Sequence, residues 1–274
     1  MQFACDGSWL TGIAHVPPNS SERGVVIITG GPQYRVGSHR QFTLLARALA
    51  ARNFPVLRFD YRGMGDSEGE PRSFERVDED VRAAIDTLFA QVPALKEVAL
   101  WGLCDAASAA LFYAHRDARV TGVILLNPWV RTASGIARAY LRHYYLKRIF
   151  ERALWRKMAK GEFKMGAALA SFFNTLRARF RSGDSEESRG ALPFTQRMLE
   201  GLRSFRGRVL LILSGNDLTA AEFRDLTAQS PEWRELLQAP RVVRRELPEA
   251  NHTFATGEWR AQVEDWTLEW LRSW

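Results

Sequence analysis

Short apolar, β-branched runs that stop at turn residues, each followed by a helical pattern, recur along the sequence. "GVVIITGG" (24–31), "PVLRFD" (55–60), "EVALWG" (97–102), "VTGVILLN" (120–127), "RVLLILSG" (208–215) and "RVVRREL" (241–247) read as strands. Helices are expected from about His39 to Asn53, over 74–91, directly after Cys104, around 220–230 and over 257–274. Strands that are apolar on both faces must be covered on both faces. Strand alternating with helix therefore implies an α/β class with a mainly parallel sheet flanked by helices. The 274 residues suffice for one such domain with an insertion, or for two small domains. With 46% apolar and 25% charged residues, a globular chain with a sizeable core is expected.

The alternation stops once, over 131–205, where only helix is read. The core is accordingly assigned to 1–130 and 206–274, and 131–205 to a basic helical lid inserted in it. Residues 131–181 hold 13 Lys/Arg and two acids, a net +11 against −4 for the rest of the chain. Within "YLKRIFERALWRKMAK", Arg148, Arg152, Arg156 and Lys160 form one stripe and Leu146, Phe150, Leu154 and Met158 a nearly opposite one. Such a helix is a solvated charged face, a dock for anionic lipid headgroups, or a patch for an acidic carrier or phosphorylated substrate. Nucleic acid is not expected as a partner, because the rest of the chain is net negative and carries no binding motif.

No run of 18 apolar residues is present, so a spanning helix is not expected. The start "MQFACDGSWL" lacks the pattern of a signal peptide. Cys5 and Cys104 make neither a metal-ligand nor a disulfide pattern. A reducing cytoplasm is the simple reading, with membrane association through the insertion as a variant of it. No metal or other cofactor is expected.

In "WGLCDAAS" (101–108) an apolar run enters Gly102, Leu103 and Cys104, and a helix-forming stretch follows at once. A nucleophile on a sharp strand-to-helix turn sits in a strained backbone conformation and needs small neighbours, here Gly102 and Ala106. Asp217 in "LSGNDLTA" and His252 in "PEANHTFA" each follow a strand. The order nucleophile, acid, histidine gives roles: His252 deprotonates Cys104 and later protonates the leaving group, and Asp217 orients His252. A nearby imidazolium and a helix N-terminus would favour the thiolate. The Asp105 amide supplies one oxyanion donor. In "TGGP" (29–32) Pro32 has no N–H, so the second donor is assigned to Gly31.

At these residues the chain resembles the α/β-hydrolase superfamily, whose elbow is G-x-S-x-G. "TGGP" is similar to its H-G-x-P oxyanion loop with Thr29 in place of His, and "DYRGMGDSEG" (60–69) to its D-x-R-G-x-G-x-S turn. The resemblance implies an α/β-hydrolase fold. "GGPQYRVGSHRQF" with "GLCDAAS" resembles the type-1 exosortase A system-associated hydrolases. That implies a bacterial cytoplasmic protein encoded beside exopolysaccharide and protein-sorting genes, with no established substrate. A Cys nucleophile is similar to that of dienelactone hydrolases and polyhydroxyalkanoate synthases.

Each residue also has a plainer reading. Cys104 could be a small buried hydrophobe, Asp217 a turn residue and His252 a structural histidine. Ser108 and Asp105 are rival nucleophiles. His39, near the oxyanion loop, and Arg35 are pocket candidates, although Arg35 reads more simply as solvated. Arg62 and Asp66 read as structural hydrogen-bonders and Cys5 as core. The expected function is hydrolysis of an acyl ester or thioester through an acyl-enzyme, on a small-molecule acyl or lipid-linked substrate. Acyl transfer by the same triad and non-catalytic binding at a membrane surface are the alternatives.

Overall fold

The computed structural model describes residues 1–31, 33–130 and 192–274. Residues through Val130 and from Phe194 onward pack as one compact unit. Its strands are β1 (Gln2–Cys5), β2 (Ser8–His15), β3 (Arg23–Ile28), β4 (Val56–Phe59), β5 (Glu97–Leu103), β6 (Val120–Leu126), β7 (Arg208–Ser214) and β8 (Val242–Leu247). They form one sheet in the order β1-β2-β4-β3-β5-β6-β7-β8. The pairs β1–β2 and β2–β4 are antiparallel; from β4 through β8 every pair is parallel.

The helices are α1 (Gln41–Ala50), α2 (Asp78–Gln91), α3 (Asp105–Tyr113), α4 (Phe194–Ser204), α5 (Leu218–Gln229), α6 (Pro231–Gln238) and α7 (Gly257–Leu271). Alternate strand residues feed two cores. Val26, Ile28, Leu100, Leu125 and Leu211 pack with α2 to α6 on one face. Val25, Ile27, Trp101, Ile124 and Ile212 pack with α1 and α7 on the other. The period of two along each strand thus accounts for a three-layer body.

Two elements lie beyond the sequence expectations. The β1–β2 hairpin turns at Asp6-Gly7, both with positive φ (47° and 78°), and extends the sheet at its antiparallel end. Helix α6 starts at Pro231 with Ser230 as its cap. Helix α4, which falls within the segment assigned to the insertion, buries Met198, Leu199 and Leu202 in the core. The basic amphipathic helix and the charge cluster of 131–181 lie outside the described residues. Among the described residues, no helix is long and apolar enough to cross a membrane.

Parallel pairing brings the carboxyl ends of β3, β5, β6, β7 and β8 to one edge of the sheet. The segments that follow them there start at Thr29, Cys104, Asn127, Gly215 and Pro248.

Candidate active site

Cys104 joins β5 to α3 with φ +64° and ψ −123°, a conformation an L-residue rarely adopts. Strain of this kind costs about 1–3 kcal/mol and persists only where the surroundings impose it. They do so here. The Cys104 N–H donates to the Leu126 carbonyl at 2.8 Å, and the Cys104 carbonyl accepts from Ala107 and Trp129, both at 3.1 Å. A Cβ on Gly102 would lie 2.5 Å from the Ala106 backbone, so strand and helix approach this closely only with glycine there. Ala106 is fully buried at the position where the superfamily motif has its last glycine.

The rival nucleophile Ser108 is fully buried, and its hydroxyl donates to the Trp129 carbonyl at 2.8 Å. It is part of the clamp that fixes the elbow.

His252 and Asp217 meet, with Nδ1 2.9 Å from Oδ2. A carboxylate only accepts, so Nδ1 carries the proton and, in the neutral ring, Nε2 is left as an acceptor. The Asp217 side chain is 8% exposed and that of His252 33%. Asp217 also caps α5, accepting from the N–H groups of Thr219 (3.3 Å) and Ala220 (3.0 Å), which fixes its carboxylate from behind.

Asn127, absent from the sequence expectations, ties these loops together. Fully buried and with φ +43°, it accepts from the Ser214 N–H at 2.9 Å and donates through Nδ2 to the His252 carbonyl at 3.0 Å. Its sequence signal is an Asn-Pro pair ending a strand.

The electrostatics differ from the expected thiolate. Burial first, and the Asp105 charge second, push the Cys104 thiol up to about 12. The amide of Asp105 pulls the other way but does not offset them. Burial and the Asp105 charge thus both favour the thiol form of Cys104.

Of the two amides expected as oxyanion donors, that of Gly31 is engaged. The Gly31 N–H donates to Asp105 Oδ2 at 2.8 Å, and the Ala106 N–H to Asp105 Oδ1 at 3.0 Å. Burial raises the Asp105 carboxyl above the ordinary carboxylate range, against the pull of these amides and of His252.

Arg35 is neither solvated nor open to a ligand. It donates to Asp60 through its N–H (2.6 Å) and its guanidinium, and to Asp66 at 2.5 Å. It ties the segment after β3 to the glycine-rich turn after β4. His39 is exposed, with φ +53°, in a single 3₁₀ turn before α1. Arg62 is fully buried and paired with Asp80, at 2.9–3.2 Å across Nε and Nη2. Cys5 is a core residue. Among the described residues, no group of three or more His, Cys, Asp or Glu side chains could hold a metal ion.

The family model described as "Alpha/beta hydrolase family" matches residues 25–266. A Penicillium protein described as polyketide transferase grgF is 30% identical over 119 residues. That match covers 40% of this chain and 39% of the relative's own length. Among solved structures, an esterase of Pyrococcus furiosus is similar with a TM-score of 0.67 at 15% identity, over 100% of this chain and 90% of that one. The Penicillium GrgF hydrolase structure gives a TM-score of 0.63 at 21% identity, over 99% and 96%.

Proposed function

The chain belongs to the alpha/beta hydrolase family, and on that premise we propose that it is an acyl hydrolase whose nucleophile is Cys104, with His252 as base and Asp217 as the residue that orients it. The observation that carries this reading is the coincidence of a strained elbow at Cys104 with a His252–Asp217 pair 2.9 Å apart at the same sheet edge. A buried cysteine kept only for packing would have no need of a left-handed backbone.

On this reading, His252 Nε2 accepts the Cys104 proton as sulfur attacks the acyl carbonyl carbon. The tetrahedral oxyanion is stabilised by the N–H group of Asp105 and by that of Gly31, once the latter is released from the Asp105 carboxylate. Collapse breaks the bond to the leaving group, which takes the proton from His252. Water, deprotonated by His252, then attacks the thioester and regenerates Cys104. A protonated resting thiol suits proton removal during attack rather than a standing thiolate–imidazolium pair.

Acyl transfer to an alcohol or amine is the second reading. What favours it is the relative described as a polyketide transferase. The resemblance of "GGPQYRVGSHRQF" and "GLCDAAS" to exosortase-associated hydrolases supports a bacterial, cytoplasmic setting. Aryl ester cleavage, measured with and without added alcohol and amine acceptors, tests both readings. Cys104→Ala is expected to abolish it. An acceptor-dependent rise in acylated product would mark transfer, and cleavage undiminished in Cys104→Ala would overturn both.

A further inference from the structure

The Asp105 side chain stands where an acyl oxygen has to go. A reacting oxyanion needs donors at about 2.7–3.1 Å. Asp105 Oδ2 already lies 2.8 Å from the Gly31 N–H, and Oδ1 3.0 Å from the Ala106 N–H. The neighbouring backbone is shaped around this carboxyl. A Cβ at Gly30 would lie 2.2 Å from Oδ1.

Among the described residues, no side-chain cation hydrogen-bonds to this carboxylate. His252 acts on it by charge, but Nδ1 of that ring is committed to Asp217. An acyl oxygen that takes the Gly31 N–H therefore displaces a half-buried carboxylate and leaves it short of donors. Such a group is costly unless it finds a new partner.

From this geometry we infer that Asp105 determines specificity: the site takes acyl donors that carry a hydroxyl or ammonium group close to the acyl carbonyl, which receives the displaced carboxylate. The inference rests on the acyl-enzyme reading for its substrate, but the carboxylate's preference for a donor can be measured without any acyl chemistry.

The experiment has two arms. In the first, aryl esters of butyrate, 3-hydroxybutyrate and 3-aminobutyrate are compared by kcat/KM in wild type, Asp105→Asn and Asp105→Ala. In the second, Cys104 is modified by methyl and by 2-aminoethyl methanethiosulfonate. Each reagent transfers its alkylthio group to sulfur and releases methanesulfinate. Rates are read at Cys104 by peptide mass and divided by the rate with free cysteine. Wild type is expected to favour the hydroxy or amino ester and the aminoethyl reagent by about tenfold, the effect of one hydrogen bond to a charged group. Both preferences are expected to fall to about one in Asp105→Asn. Asp105→Ala is expected to gain on the butyrate ester, because Gly31 is freed. If no ester reacts yet the reagent preference holds and depends on Asp105, the acyl-enzyme reading falls and the donor preference of Asp105 stands. If all three esters acylate Cys104 alike and the two reagents do not differ between wild type and Asp105→Asn, the specificity inference is overturned while the acyl-enzyme reading survives.

Discussion

Cys104 holds its proton at neutral pH because burial and the Asp105 carboxylate both oppose a thiolate. With the thiol pushed up to about 12, the thiolate is a minor form at pH 8. The rate of Cys104 alkylation by iodoacetamide is therefore expected to rise about tenfold per pH unit between pH 7 and 10, with no plateau. A plateau beginning below pH 8 would show a thiolate–imidazolium pair instead. The places of Cys104, Asp217 and His252 were legible, because each stands just past a strand and glycine or small residues mark the turn; the structure brings His252 and Asp217 together. The side chain of Asp105 was not legible. A sequence assigns a residue to a helix N-terminus but does not say where its carboxylate turns, and here it turns back onto Gly31.

Helix α5 and the loops after β6 and β8 hold the acid and base, and two substitutions separate holding from chemistry. Asp217 both caps α5 and binds His252. Asparagine caps nearly as well as aspartate. Asp217→Asn is therefore expected to melt within a degree or so of wild type while ester turnover drops by about 10²–10⁴, as the imidazole loses its orienting acceptor. Asp217→Ala should lose turnover and about 1 kcal/mol of stability besides. Thermal melts paired with turnover decide it; full turnover in Asp217→Asn would place the acid elsewhere. Asn127→Ala leaves the buried Ser214 N–H without its acceptor and the His252 carbonyl without its donor. A loss of about 2 kcal/mol in urea unfolding, with reduced turnover, is expected, and an unchanged unfolding midpoint would deny Asn127 its tying role. The six read strands and the helices between them were legible because five of the strands are buried on both faces, and β8, whose Arg244, Arg245 and Glu246 are exposed, still opens on Val242 and Val243. Helix α6 was not, since eight residues that bury Trp233 alone leave too short a pattern. The hairpin had a turn signal at Asp6-Gly7, but its short strand β1 lies at the edge, with every second residue exposed.

The molecule as a whole joins a net-negative core to a positive stretch over 131–181, which lies outside the described residues. Its proposed role in meeting an anionic surface rests on the Arg/Lys stripe read from the sequence. Each basic side chain near an anionic bilayer contributes about 1 kcal/mol. Replacing Arg148, Arg152, Arg156 and Lys160 by Gln is expected to reduce cosedimentation with anionic vesicles by up to roughly a thousandfold at low salt, and to change nothing with neutral ones. Wild type that ignores anionic vesicles at low salt would leave the stripe to a soluble anionic partner or to no partner, as a solvated face. The core's topology was legible as a parallel sheet with helices on both faces, whereas the strand order was not, because side-chain periodicity says which face a residue takes and not which strand lies beside it. The order decides the site: it sets β5, β7 and β8 side by side with β6, so that their carboxyl ends deliver Cys104, Asp217 and His252 to one edge. The most direct test of that convergence is intact mass spectrometry of protein quenched within milliseconds to seconds of mixing with an activated acyl ester, followed by peptide mapping. A transient mass gain equal to the acyl group, located on Cys104 and persisting longer in His252→Ala if acylation occurs there at all, is the expected result; an acyl adduct on any other residue, or turnover by wild type that proceeds unchanged in Cys104→Ala, would contradict it.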